Sequence, residues 1–343
     1  MMTEAGLASD NDLLRDPCWF PHAFDPRTGT FGFVHAPRDY WVEKRFLDQR
    51  WMTEELPQRA LPVRDVEEAL EGGSAPHLNI IWHSSLCCST LLADLIAAEG
   101  KCLSLREPQV LVALANVRRM QPPTDHPVAA ALRLLARRFV PDEQIAIKPS
   151  NFANNLIGAA AARSRGRMLF LYSDLPDFLL SIARKGAEGD AYVTALFRAL
   201  AADGLVPPAL TADMPLSGAK VAALVWHMQI AAFAHALAEL GSSRAASLHS
   251  GVLLARPRDT LTALDDFFGL GLGADGIAGR VSGPLMTRHA KELRAYDAQS
   301  REAEHEALRA QAGSALDEVV AWSYGLCPES PRGDLAHPLI ANS

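Results

Sequence analysis

The chain has 343 residues, 49% of them hydrophobic and 21% charged, which is enough apolar material for one large core or two moderate ones and too much for a disordered chain. A formal charge of −7 excludes a general electrostatic attraction to nucleic acid or to an anionic membrane, while leaving room for a local basic groove. The five cysteines, Cys18, Cys87, Cys88, Cys102 and Cys327, are odd in number, include an adjacent pair and lack C-x-x-C spacing, which predicts free thiols in a reducing cytoplasm, with neither a disulfide framework nor a zinc site.

Residues 1–75 read as a small N-terminal extension. MMTEAGLASDNDLLRD is acidic and has no apolar h-region, so no secretory signal is expected, and no apolar run along the chain reaches membrane-spanning length. Trp19, Phe20, Phe24, Phe31, Phe33, Tyr40, Trp41, Phe46 and Trp51 are expected to form core rather than a ligand platform. Turn signals at Asp25-Pro26 and Thr28-Gly29 precede FGFVHA, a predicted strand; helical spacing runs from Tyr40 to Trp51 and from Val63 to Leu70, ahead of a Gly72-Gly73-Ser74 linker.

A main domain over 76–325 opens on the most informative stretch. Leu78 to Trp82 is a short apolar strand that passes into His83, Ser84, Ser85, Leu86, Cys87, Cys88, Ser89 and Thr90; Leu91 with Leu95 and Leu92 with Ile96 then stack at helical spacing, and Gly100 is placed to end that helix. Small residues at a helix start leave several backbone N–H groups unpaired at the positive end of the dipole, a ready anion site. The phosphate-binding pattern G-x-x-x-x-G-K-[ST] is half met: Cys88-Ser89-Thr90 stands where Gly-Lys-[ST] would. An ordinary βα turn of small residues fits the same stretch. A cysteine nucleophile at the helix start is chemically sound, but Cys87 and Cys88 have no histidine partner beyond His83, so packing accounts for them better.

Further along, Lys101 to Leu105 predicts a strand that delivers Arg106-Glu107-Pro108 at its carboxyl end, the edge where ligands sit in parallel α/β sheets. A helical segment with Arg118, Arg119, Arg133, Arg137 and Arg138, broken at Pro122-Pro123, reads as a solvated face in preference to a binding one. Gln144 to Ile147 is a strand ending at Lys148-Pro149-Ser150, and Met168 to Tyr172 a strand ending at Ser173-Asp174. Helices follow from Asp177, from Tyr192 to Ala201 and from Gly218 to Leu240. Ser247 to Leu254 is the last strand candidate, and Arg258 to Phe268 a helix closing at Gly269. The chain is then mostly helical to Tyr324, and the Pro-rich tail, 326–343, is expected to be loosely held. Strands alternating with helices predict an α/β fold with a mainly parallel central sheet.

In this order the landmarks resemble the PAPS-dependent sulfotransferases of the bacterial and Golgi-type branch, where PAPS is 3′-phosphoadenosine 5′-phosphosulfate. CCSTLL at Cys87 to Leu92 falls on the family's phosphosulfate loop, P-R-S-G-[ST]-[ST]-L-L. Glu107, in REP, falls where tyrosylprotein-type members carry a catalytic glutamate. Lys148-Pro149-Ser150 resembles K-[TS]-P or K-x-P. SDLPDFLLS, Ser173 to Ser181, resembles the 3′-phosphate motif R-[ND]-P-x-x-x-x-x-S, with Pro176 one place late. Trp226 and GVLLARPRDTLTALDDFFGL resemble the family's late segment. The departures are Leu86 and Ser173 in place of arginines and Cys88 in place of glycine; with charge-assisted bonds worth about 1.5 to 3 kcal/mol each, two such losses weaken donor binding by about 10² to 10⁴-fold unless other cations substitute. Arg184 and Lys185, one turn beyond Ser181, are substitutes, with Arg288 and Lys291 as further ones. The string RKGAEGD from Arg184 echoes a cytosolic sulfotransferase signature at the wrong position.

The resemblance implies an α/β, three-layer P-loop NTPase-like fold with a mainly parallel central sheet, and transfer of a sulfuryl group from PAPS, without a metal, to a hydroxyl or amine on a small-molecule or peptide acceptor. It implies Glu107 as general base with His83 in reserve, and Lys148 as the cation at the leaving phosphate. The donor would be held by Ser85, Leu86, Cys87, Cys88, Ser89, Thr90, Ser173, Ser181 and Arg184. Plainer readings stay open, with Glu107 in a salt bridge to a neighbouring arginine, His83 as a structural residue and Ser89 as a helix cap. Two other classes also stay open: a kinase-like phosphotransferase with Asp174 holding Mg²⁺, and a non-catalytic P-loop protein binding a different nucleotide or a protein partner.

Overall fold

The computed structural model describes residues 9–48, 56–120, 125–286, 307–310 and 313–341. Trp51, the Pro122-Pro123 turn, Arg288 and Lys291, singled out above, lie outside them. By internal contacts the chain forms two compact units, one of Met1–Ile80 with Ala97–Gly166, the other of Ile81–Ile96 with Arg167–Ser343.

In chain order the first unit carries α1 (Asp10–Arg15), β1 (Trp19–Asp25), β2 (Thr30–His35), α2 (Arg38–Glu43), β3 (Gln58–Pro62) and α3 (Val63–Leu70). The strands β1, β2 and β3 make an antiparallel sheet in that order. Its hairpin turns on Asp25, whose carbonyl accepts from Gly29 N at 2.9 Å and whose Oδ1 accepts from Arg27 N at 2.9 Å, an Asx-type turn. Phe31 and Phe33, two apart in β2, are fully buried, and the pairs Phe24–Phe31 and Phe20–Trp41 have ring centroids 5.0 and 4.8 Å apart. Phe20, Phe31, Phe33 and Trp41 are core, as expected, whereas Trp19, Phe24, Tyr40 and Phe46 are only part-buried.

The central sheet comes next: β4 (Asn79–His83), then α4 (Ser89–Ile96), β5 (Cys102–Arg106), α5 (Gln109–Met120), α6 (His126–Leu135), β6 (Gln144–Lys148), a 3-10 turn (Asn151–Leu156), α7 (Ile157–Arg163), β7 (Met168–Tyr172), α8 (Leu175–Lys185), α9 (Ala187–Ala202), α10 (Gly218–Leu240) and β8 (Ala245–His249). These five strands form one parallel sheet in the order β5-β6-β4-β7-β8, flanked by helices. Every residue of β4, β5 and β7 is buried, the pattern of strands covered on both faces. The fold is α/β, as the alternation of elements required. The chain continues through α11 (Ser250–Ala255), α12 (Pro257–Phe268), α13 (Gly273–Val281) and a helix at Ser314–Leu326. Contrary to the expectation that no apolar run reaches membrane-spanning length, α10 is long and apolar enough to cross a membrane by length and composition, yet most of it is buried, as in the central helix of a packed core.

Several local expectations give way. The helical spacing from Tyr40 to Trp51 yields a helix that stops at Glu43. α4 stops at Ile96, and Gly100 serves a tight turn instead, at φ 66°, in which Ala98 and Cys102 exchange backbone hydrogen bonds of 2.9 Å; a left-handed turn residue is cheapest as glycine. Ser247 to Leu254 is split, with the strand ending at His249, whose Nδ1 accepts from Gly251 N at 3.1 Å and caps α11. The tail is held: Ser247 N donates to His337 O at 2.8 Å, Leu339 N donates to Ser247 O at 2.7 Å, and Leu335 is buried.

The last concerns three of the arginines, whereas Arg138 is exposed as expected. Arg133 donates to the carbonyls of Leu70 at 2.9 Å and Gly73 at 2.6 Å, Arg119 to Phe152 O at 2.6 Å, and Arg137 to those of Leu13, Leu14, Asp16 and Trp19. A guanidinium presents five donors in a rigid fork, so one side chain can gather several carbonyls. Burial lowers the Arg137 pKa to about 10. These residues are internal clamps of the first unit and not a solvated face.

Candidate active site

The loop after β4 belongs to the second unit. Ser85, Leu86 and Cys88 have φ of 74°, 54° and 61°, left-handed values that cost a non-glycine residue about 1 to 2 kcal/mol each. Hydrogen bonds from β7, α10 and the loop itself hold this backbone. Ser84 N donates to Leu171 O of β7 at 3.1 Å, Ser85 N to His83 Nδ1 at 3.1 Å, the Cys87 thiol to Leu171 O at 3.4 Å, and Gln229 Nε2 of α10 to Ser84 O at 3.1 Å. Cys88 O accepts from Leu92 N at 3.0 Å and opens α4. Among the described residues the amides of Ser89 and Thr90 have no acceptor, as first-turn amides do not.

The next strand tip in this unit is Ser173-Asp174. Trp226 Nε1 of α10 donates to Ser173 O at 2.8 Å, so α10 braces both tips with buried side chains. Ser84 Oγ and Ser173 Oγ are buried and have no hydrogen-bond partner among the described residues. Asp174 Oδ1 lies 3.2 Å from His249 Nε2, an ion-pair distance outside hydrogen-bond geometry. Burial pulls the His249 pKa down, but Asp174, with smaller contributions from Asp334 and Asp177, outweighs it and leaves the imidazole above its ordinary value.

In the first unit Glu107 follows β5 and Lys148 ends β6. Lys148 Nζ is 2.5 Å from Glu107 Oε1, with the lysine side chain 1% and the glutamate 21% exposed. Glu107 is itself left-handed, at φ 54°. Burying an ammonium requires a partner, and here the partner is the other residue expected to be catalytic. The salt bridge anticipated for Glu107 exists, to Lys148 and not to an arginine.

Of the other residues singled out from sequence, His83 is a buried loop brace through Nδ1, and Cys87 packs inward. Ser181 is buried in α8, and Arg184 is exposed in that helix's last turn, where a cation also complements the dipole. Ser173 and Arg184 sit at opposite ends of α8. The RKGAEGD echo is the corner between α8 and α9: Lys185 pairs with Glu188 at 3.1 Å, and a Cβ on Gly189 would sit 2.4 Å from Ile182 O. Sequence reading missed Gln229, Ser84 as a site hydroxyl, and His249. A glutamine in an apolar helix was a usable signal, because a buried amide needs partners.

No family model and no curated protein matches the chain. Among solved structures it is similar to the sulfotransferase domain from the curacin biosynthetic pathway, with 14% identity over 78% of this chain and 95% of that one, at a TM-score of 0.41. It is similar also to the sulfotransferase domain from the Synechococcus PCC 7002 olefin synthase, with 13% identity over 69% and 96%, at 0.42. A Mycobacterium avium sulfotransferase gives 13% identity over 75% and 80%, at 0.40.

Proposed function

We propose that the chain is a sulfotransferase-like enzyme that moves a sulfuryl group from PAPS to a hydroxyl or amine on a small-molecule or peptide acceptor. The observation that carries this reading is the loop between β4 and α4, with left-handed backbone at Ser85, Leu86 and Cys88 ahead of helix amides that have no acceptor at Ser89 and Thr90. A chain keeps such strain where its surroundings over-determine it, most often at ligand clamps. Backbone of this shape turns successive N–H groups together and, with the helix dipole, suits an anionic oxygen. The orphaned hydroxyls of Ser84 and Ser173 are donors of the kind a phosphosulfate would satisfy.

When bound, PAPS supplies an activated sulfuryl group on a phosphate leaving group. The loop amides with Ser89 and Thr90 hold the anion, and the sequence resemblance assigns Glu107 to take the acceptor's proton and Lys148 to offset charge on the departing oxygen. Their mutual ion pair must loosen for either to act. Leu86 and Ser173, uncharged where the family carries arginine, favour one second reading, a divergent P-loop protein that binds another nucleotide without catalysis. The kinase-like reading would need Asp174 to hold Mg²⁺ while its Oδ1 lies 3.2 Å from His249 Nε2.

Calorimetric titration with PAPS, its desulfated product and ATP tests the proposal. Binding of the first two, with ATP at least about tenfold weaker, is expected. Tight ATP binding that needs Mg²⁺, with no response to the desulfated product, would overturn it.

A further inference from the structure

Away from that loop, the first unit brings together three side chains that the sequence reading left apart. Asp16 caps the end of α1, Cys18 immediately precedes β1, and His35 ends β2. Their donor atoms, a carboxylate oxygen, the thiol sulfur and an imidazole nitrogen, all lie within 4.8 Å of one another. We infer that Asp16, Cys18 and His35 form a binding site for a divalent transition-metal ion of the zinc class, with a fourth position open to water.

The geometry argues for a ligand set and not a chance meeting. Trp19 pairs with His35 across the β1–β2 ladder, and Ala36 N donates to Cys18 O at 3.0 Å, so the backbones of Cys18 and His35 are fixed to each other. The His35 ring packs on Trp19 at 4.9 Å between centroids. Asp16 Oδ1 accepts from Cys18 N at 2.9 Å, which leaves Oδ2 facing His35 Nε2 at 3.8 Å. A tetrahedral zinc with oxygen and nitrogen donors at about 2.0 to 2.2 Å has an edge of about 3.3 to 3.6 Å between them, so the 3.8 Å separation has a few tenths of an ångström to close, and the thiol, within 4.8 Å of both, about 1 Å. The side chains of Asp16 and His35 are 41% and 40% exposed, which gives an ion a route in and a water its place.

The donor chemistry selects the metal. Sulfur with imidazole and one carboxylate suits zinc or its neighbours and excludes calcium and magnesium, which want oxygen. Burial and the Asp16 charge push the Cys18 thiol up to about 11, so the metal must displace its proton to solvent when the S–metal bond forms. The Arg137 guanidinium, which donates to Asp16 O at 2.9 Å, works against a cation, and the carboxylate and thiolate together outweigh that single charge. No C-x-x-C spacing announces the site because the set is closed by strand pairing and not by neighbours in sequence.

Cobalt(II) titration of the full chain tests it, read by the thiolate-to-cobalt absorption band, with Asp16→Asn, Cys18→Ser and His35→Phe beside a Cys327→Ser control. Asp16→Asn keeps the acceptor for the Cys18 amide, and His35→Phe keeps a ring against Trp19, so both preserve the fold; circular dichroism checks this. The expected result is one cobalt per chain in the wild type and the control, no band in Cys18→Ser, and affinity at least about tenfold weaker in the other two. Zinc should displace the cobalt and raise Tm of the wild type and of the Cys327→Ser control, but not of Cys18→Ser. A wild type without the band, or a band that survives in Cys18→Ser or at full affinity in His35→Phe, overturns the assignment.

Discussion

Lys148 Nζ lies 2.5 Å from Glu107 Oε1, and the main chain doubles the link, with Glu107 N donating to Lys148 O at 2.6 Å. The two are unequal partners, because the ammonium is fully buried while the carboxylate keeps a fifth of its surface. Removing the carboxylate therefore strands a buried charge, and removing the lysine leaves an acid that can find water. Glu107→Leu should cost about 3 kcal/mol or more, the low end of the range for a broken buried pair, and Lys148→Met clearly less, with the double variant recovering most of the loss. Urea unfolding of the four proteins measures this; equal costs for the two single changes would show that the burial asymmetry has no energetic consequence. In a sulfuryl-transfer assay Glu107→Gln and Lys148→Ala should each lose about 10²-fold or more.

Leu86 stands left-handed where the family carries arginine. Leu86→Gly relieves a strain of about 1 to 2 kcal/mol and gives back about 0.5 to 1 in chain entropy, so it should be neutral to mildly stabilising, whereas the β-branched Leu86→Val should destabilise by about 1 kcal/mol or more. Leu86→Arg should tighten binding of the desulfated donor by about tenfold or more through one charge-assisted bond. Thermal scans and calorimetry read the two effects separately.

Gln229 is buried in α10 and donates to Ser84 O at 3.1 Å and Val225 O at 3.3 Å. Gln229→Met keeps the volume and deletes the donor, leaving a loop carbonyl without that partner. A loss of about 1 to 3 kcal/mol is expected, accompanied by faster amide exchange in residues 84–90 and little change in β8. Uniform exchange across the chain would mean that the amide does not brace the loop.

Two histidines of the second unit should titrate in opposite senses. Burial, with Arg332 nearby, lowers the His227 pKa to about 4, so between the unfolded value of 6.5 and about 4 the unfolded chain binds a proton that the folded chain refuses. Stability from this residue falls as pH drops through that window, and His227→Asn should flatten the slope. His249, raised by Asp174, contributes stability that is complete below the unfolded value and disappears as pH rises through the folded one. Asp174→Asn should pull its NMR titration midpoint down, since burial is then opposed only by the smaller effects of Asp334 and Asp177; an unmoved midpoint would remove Asp174 as the cause.

Much of the architecture was legible from local chemistry. β7 at Met168–Tyr172, α3 at Val63–Leu70 and α10 at Gly218–Leu240 announce themselves because an apolar run or a repeat of apolar positions needs no knowledge of its neighbours. The strand-loop-helix at Asn79–Ile96 was legible for the same reason. What a side chain finally touches depends on segments far along the chain, and there sequence is silent. Arg133 and Arg137 looked like surface and became clamps on carbonyls more than sixty residues away. Glu107 and Lys148, forty-one apart, became each other's counter-charge, and Cys18 met His35 only because β1 pairs with β2. Hydrophobic periodicity is a property of a few consecutive residues, whereas hydrogen-bond and charge partners are assigned by packing, which only the folded chain decides.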